Sequence, residues 1–326
     1  MKRLFILTAL SLGSVRAAPQ PVTLALDWVP NVNHVGVYVA LAKGWYEQAG
    51  VNLRVLPYGS TSPDILVAAG RADVGVSSAE GVTSAAASGQ PVVSIAAIYT
   101  TNTAAFAVLT KSGIRRPRDL DGKVYAAFGA PYETPIIKRL ITADGGRGNF
   151  RSPVLNTFGL DALLAGKADF MWIFEGVEGV EARRKGLALR SFPLTKYGVP
   201  DSYTPVFTAN RNRLGPDRVK LQGFLRATAR GYEFARRHPA EAADLMLRAA
   251  PKNTFPDPGV LREGVRYFVD RGAYARPGHP WGEQTLKMWT DYPRFLVQSG
   301  AVRQPSGQPV RGLNYAALFT NTLLPR

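Results

Sequence analysis

Asp27, Trp28, Asn31, Asn33 and His34 bring a carboxylate, an indole, two amides and an imidazole into eight residues between a strand-like run and an apolar helix. Such a set suits recognition of a flat molecule, because the indole can stack on a ring while the polar groups meet its donors and acceptors. Trp28 is the stacking candidate, with a core tryptophan as its competing role. Asn33 reads equally as a helix N-cap. His34 reads as a donor to a ring nitrogen or carbonyl, or as a satisfied structural histidine.

Later segments add further groups. Glu80 completes Ser77-x-x-Glu80, which is also the capping-box pattern. Tyr132 and Glu133 follow Phe128 in a turn shaped by Gly129, Pro131 and Pro135. Trp172 and Glu175 end a very apolar strand, where Glu175 at a helix start would also suit the helix dipole. Paired carboxylates could serve acid–base hydrolysis. No nucleophile–base arrangement, phosphate loop or dinucleotide fingerprint accompanies them, and Gly145–Gly148 reads as a helix stop.

These groups fall where strands give way to helices, the place where ligands collect in open α/β sheets. Strand and helix patterns alternate through the first two hundred residues, predicting βαβ units and a largely parallel sheet. The first strand is expected over Val22 to Asp27, and a helix with Val35, Val39, Ala42 and Tyr46 on one face runs to Gly50. Ser62 and Pro63 start another helix, which Gly70 stops. Helical patterns dominate beyond residue 210. The simplest topology places lobe one at 19–110 plus 205–326 and lobe two at 111–204, joined by two extended crossings that form a hinge. A chain of 326 residues is long enough for two lobes.

Residues 1–18 read as a signal peptide, with Lys2 and Arg3 before an apolar stretch and Val15-Arg16-Ala17 as a small-residue cleavage pattern. The apolar run is shorter than the roughly 20 residues needed to span a bilayer, so export to the periplasm is expected. The chain has no cysteine, which removes thiolate catalysis, a lipidated cysteine tether and cysteine metal sites. Three histidines make a polyhistidine metal site a poor expectation, and no cofactor is expected. The formal charge is +16, or +13 without Lys2, Arg3 and Arg16. Residues 19–110 nevertheless hold three basic and five acidic side chains. With the basic excess dispersed on helices such as that bearing Arg226, Arg230 and Arg236, nucleic acid is not an expected partner. A monomer is expected.

The segment Asp27-Trp28-Val29-Pro30-Asn31-Val32-Asn33-His34, with Ala42-Lys43-Gly44-Trp45-Tyr46, resembles the start of the NMT1/THI5-like family of ABC-transporter substrate-binding proteins. Gly70 to Val76, Gly129 to Glu133, Trp172 to Gly179 and Val199 to Pro205 follow in matching order. The resemblance implies the type II periplasmic binding fold, with two α/β lobes joined by a two-strand hinge, and delivery of a small molecule to an inner-membrane permease. It implies an aromatic heterocycle as ligand, a thiamine pyrimidine precursor first and riboflavin second. Carboxylates favour an amino-substituted pyrimidine, whose exocyclic N–H groups they accept. A sister class would bind a sulfonate at helix starts such as Ser60-Thr61-Ser62 and Ser77-Ser78. One enzymatic branch makes the thiamine pyrimidine with a lysine-bound pyridoxal phosphate, a histidine and a cysteine-rich motif. This chain has Ser77 and Gly81 where that lysine and histidine would stand, and no cysteine, so a non-enzyme is expected.

Overall fold

Short apolar runs alternate with helices as predicted, but the helix expected to run from Val35 to Gly50 is broken in two at Gly44, whose backbone is left-handed. The computed structural model describes residues 18–153 and 159–325, so the expected signal peptide and most of the strand expected over 153–157 lie outside the described residues. In chain order the first elements are β1 (Gln20–Ala25), α1 (Val35–Ala42), α2 (Trp45–Gln48), β2 (Val51–Leu56), α3 (Pro63–Ala68), β3 (Val74–Ser77), α4 (Ala79–Ala87), β4 (Val92–Ala97) and β5 (Ala104–Leu109). Then come β6 (Tyr125–Ala126), α5 (Glu133–Ala143), α6 (Gly159–Leu164), β7 (Phe170–Phe174), α7 (Glu178–Arg184), β8 (Leu189–Pro193) and β9 (Val206–Asn210). Helices α8 (Arg218–Arg237), α9 (Pro239–Ala249), α10 (Pro258–Asp270) and α11 (Leu286–Gln298) complete the set.

Two sheets result. The first has the order β2-β1-β3-β9-β4, and the second β6-β7-β5-β8. β1, β2 and β3 are parallel, whereas β9 returns antiparallel between β3 and β4. The second sheet departs from the largely parallel expectation, because β5 is antiparallel to both β7 and β8 and only β6 and β7 run together. The sequence predicts a strand over Ala105–Thr110 at the end of lobe one, and this strand joins the other sheet. Ala104–Leu109 pairs with β7 and β8, so the first crossing lies before residue 104 and not after 110. A run of buried residues has the same pattern in either sheet, and only its pairing partners distinguish them.

The two crossings are tied to each other. Asp201 accepts from the Thr101 hydroxyl at 2.6 Å and the Asn102 backbone N–H at 2.8 Å, and the Asn102 amide donates to Ser202 at 2.9 Å. Packing then sets the site loops. α1 is buried over Val35–Ala40 and lies against α8 at Gly36 and Gly231, where a Cβ on either would collide with the other helix. One core holds Val22, Leu24, Val37, Phe224 and Met246 under the first sheet. A second joins Phe106, Ile137 and Phe170 to Trp289, Tyr292 and Leu296 of α11, so part of the chain assigned to lobe one packs with residues of the second sheet.

Candidate functional site

β1 ends at Ala25, and the chain turns through Asp27–Asn31 into a short 3-10 turn, Val32–His34. Asn31, not Asn33, is the cap, its Oδ1 accepting the Asn33 backbone N–H at 2.9 Å. The Asn31 backbone N–H donates to His34 Nδ1 at 3.2 Å. That nitrogen must carry a lone pair, so the hydrogen of the neutral ring sits on Nε2 and is donated to Asp27 Oδ1 at 3.0 Å. His34 is fully buried, while the Asp27 side chain stays about a third exposed. The imidazole is thus a brace, and the carboxylate it holds stays partly open to solvent beside the more exposed Trp28 and Val29. Asn33 is also spent internally, because its Oδ1 accepts from Tyr99 at 2.8 Å and its carbonyl from Tyr232 at 2.6 Å.

Trp28 is not a core residue. It is 55% exposed and lies 5.2 Å from the ring of Tyr58, itself 42% exposed. Tyr58 follows β2, the parallel neighbour of β1, and the register Ala25↔Leu56 brings the two rings out at the same sheet edge.

The helix starts nearby are acidic. Ser78, not Ser77, caps α4 by accepting the Gly81 N–H at 3.2 Å. Ser77 instead donates to Asp64 Oδ2 at 2.6 Å. Asp64 is nearly buried, and burial pushes its carboxyl up to about 6, against the pull of Ser77 and Thr208 and with the Asp27 charge adding to the rise. Glu80 is buried too. It accepts from Tyr292 through Oε1, while Oε2 has no hydrogen-bond partner among the described residues, and burial raises its pKa.

A second aromatic group lies on the other sheet and in the loop after β6. Trp172 of β7 lies 5.9 Å from Phe128 and 6.2 Å from Tyr132, edge to face. Glu133 sits below these rings and is consumed by its own turn, accepting the backbone N–H groups of Phe128 at 3.0 Å and of Ala130. Glu175 is half-buried in the turn after β7 and does not begin the helix, because α7 starts at Glu178. Glu178 accepts the Phe174 N–H at 2.8 Å, and burial pushes its carboxyl up to about 7. Burial raises the Tyr132 hydroxyl, and the charges of Glu80, Glu133 and Asp27 raise it further. Tyr132 therefore lies within electrostatic reach of carboxylates from the β1 loop, the α4 start and its own turn. Of the candidates Trp28, Asn33, His34, Glu80, Tyr132, Glu133, Trp172 and Glu175, the side chains of Asn33, His34 and Glu133 are engaged in internal hydrogen bonds, while Tyr58, beside Trp28, and the buried Asp64 carry no comparable sequence signal. Among the described residues no group of three or more His, Asp or Glu could hold a metal ion.

The NMT1/THI5-like family matches residues 31–242, from the Asn31 cap through α8 into α9. The chain belongs to that family. The formylaminopyrimidine-binding protein of Halalkalibacterium halodurans is 26% identical over 294 residues, covering 88% of each chain. The riboflavin-binding protein RibY of Chloroflexus aurantiacus is 24% identical over 334 residues, covering 98% of this chain and 90% of its own. Both relatives are named as binding proteins. Among solved structures, the periplasmic aliphatic sulphonate-binding protein SsuA of Escherichia coli superposes with a TM-score of 0.66 at 15% identity, covering 91% of this chain and 94% of that one. The fold is that of a type II periplasmic binding protein, two α/β lobes joined by a two-strand hinge. In this NMT1/THI5-like chain Ser77, at the position expected for the synthase lysine, is buried and hydrogen-bonded to Asp64.

Proposed function

We propose that this chain is the exported substrate-binding protein of an ABC importer, that it captures an amino-substituted pyrimidine of the thiamine-precursor type, and that it passes this ligand, as a monomer, to an inner-membrane permease. The observation that carries the reading is the solvent-facing Asp27 carboxylate, braced by His34 and set beside the exposed Trp28–Tyr58 pair. A carboxylate accepts the paired N–H groups of an aminopyrimidine edge while an aromatic pair covers the ring face. Ligand contacts to both walls would shift the lobes towards closure.

The acidic surroundings argue against an anionic ligand. Ser62 and Ser78 already accept the Asp64 and Gly81 N–H groups at the starts of α3 and α4, where a sulfonate would need donors. Asp27, Asp64 and Glu80 would oppose it further. Riboflavin is the second reading, favoured by the broad face that Phe128, Tyr132 and Trp172 offer to a larger ring.

Thermal shift of the purified chain with a formylaminopyrimidine, thiamine, riboflavin and taurine separates these readings. Stabilisation by the aminopyrimidine is expected, and stabilisation by taurine alone would overturn the proposal. Trp28→Ala is expected to weaken the ligand by about tenfold, roughly 1.4 kcal/mol, with the unliganded melting temperature unchanged. Calorimetric titration measures the first and a thermal scan the second. A collapse of the melting temperature would instead give Trp28 a structural role.

A further inference from the structure

Helix α10 touches both walls of the cleft. Gly264 is where they meet: a Cβ there would lie 2.6 Å from the Gly176 carbonyl oxygen, in the turn after β7, and 3.4 Å from Val32 Cγ2, in the turn after β1. One helical turn on, Phe268 covers Gly176, which likewise has no room for a Cβ. The same Phe268 ring stacks on Tyr99 at 4.3 Å, and Tyr99 is the donor that holds Asn33. At the start of α10, Arg184 of α7 donates through Nε to Asp257 at 2.6 Å and through Nη1 to Glu263. Tyr267, on the same face, lies between Arg271 at 3.7 Å and Arg183 at 5.7 Å.

We infer that α10 is a spacer: the Gly176–Gly264 contact sets the limit to which the two cleft walls can close, the Arg184 fork favours that limit, and together they define the size of ring the closed cleft accepts. The inference rests on reading that cleft as the ligand site. Backbone packed on backbone does not compress, so this contact sets the closest approach of the β1 and β7 loops. The Arg184 fork resists their moving apart, since one guanidinium grips two carboxylates on the facing helix. Glycine at both contact positions gives the narrowest spacing a helix and a turn allow, which suits a single flat ring. Gly264→Ala would force the walls apart and favour a larger ring, whereas Arg184→Ala would leave their spacing loose.

The chain has no cysteine, so spin labels can be placed without background. Val219→Cys on α8 and Leu164→Cys on α6 are suitable, being 73% and 46% exposed. Pulsed electron-resonance distances are then measured on the ligand-free protein with and without Arg184→Ala or Gly264→Ala. Each substitution is expected to shift the mean or broaden the distribution by about 2 Å, the scale of packed-helix sliding. Arg184→Lys should recover part of the effect. Should Gly264→Ala fail to fold, Arg184, on an exposed face, still decides the matter. Unchanged distributions would overturn the spacer whatever the cleft binds. Aminopyrimidine binding by Arg184→Ala is expected to fall about threefold, and Gly264→Ala should move the affinity ratio towards riboflavin. Failure of the unsubstituted chain to bind any heterocycle would overturn the function proposed above and leave the distance result to judge the spacer.

Discussion

Asp27→Asn is expected to weaken aminopyrimidine binding by about ten- to a hundredfold, the loss of roughly 1.5 to 3 kcal/mol for a charge-assisted hydrogen bond. The substitution keeps shape and isolates charge, because an asparagine oxygen can still accept from His34 Nε2, which donates to Asp27 at 3.0 Å. The loop should therefore hold its course. Its cap, from Asn31 to the Asn33 N–H, and its anchors, from Tyr99 and Tyr232 to Asn33, do not involve the substituted group. An unliganded melting temperature near that of the unsubstituted chain would verify this. His34→Ala should also weaken binding, but by releasing the carboxylate and opening a cavity under the loop, so its melting temperature should fall as well. Affinity within threefold of the unsubstituted protein in Asp27→Asn would remove this carboxylate from the recognition edge.

The pair of substitutions also marks where the sequence stops being legible. That Asp27 to His34 forms a recognition segment follows from its density of polar and aromatic groups after an apolar run. Which member faces solvent does not follow, because it depends on one hydrogen bond from the Asn31 backbone to His34 Nδ1. That bond turns the imidazole inward and the carboxylate outward. The same kind of one-residue choice separates Ser77 from Ser78. Both fit a cap, but Ser77 is the last residue of β3 and points at Asp64, leaving Ser78 to close the helix. Asp64 itself reads as an ordinary first-turn acid of α3, and only the approach of β3 and β9 buries it. The strand Ala104–Leu109 was recognisable as a strand, yet its sheet was not, since pairing with β7 and β8 is a long-range fact. Local chemistry was readable; partners distant in the chain were not.

Those long-range partners give the chain a pH dependence of unusual sign. Asp64 is pushed up to about 6 from an ordinary 3.8, chiefly by burial, so the folded protein holds its proton through a range in which the unfolded chain has released it. The native state therefore binds more protons between about pH 4 and pH 6, and stability from this group must fall as pH rises through that range and level off above it. Glu178, raised to about 7, acts in the same direction slightly higher. Carboxylates with lowered values, such as Asp73 and Asp144, titrate below this window and do not oppose it. Urea unfolding of the ligand-free chain should show a loss on the order of 1 to 2 kcal/mol between pH 5 and pH 8 from Asp64. Asp64→Asn should flatten that slope and raise stability at pH 8, where the native protein carries a buried charge. At pH 4 it should give no gain, since the native carboxyl is then neutral and still bonded to Ser77. A stability that rises from pH 5 to pH 8, or a slope that survives Asp64→Asn, Glu178→Gln and Glu80→Gln together, would refute the account, since Glu80 is also raised by burial.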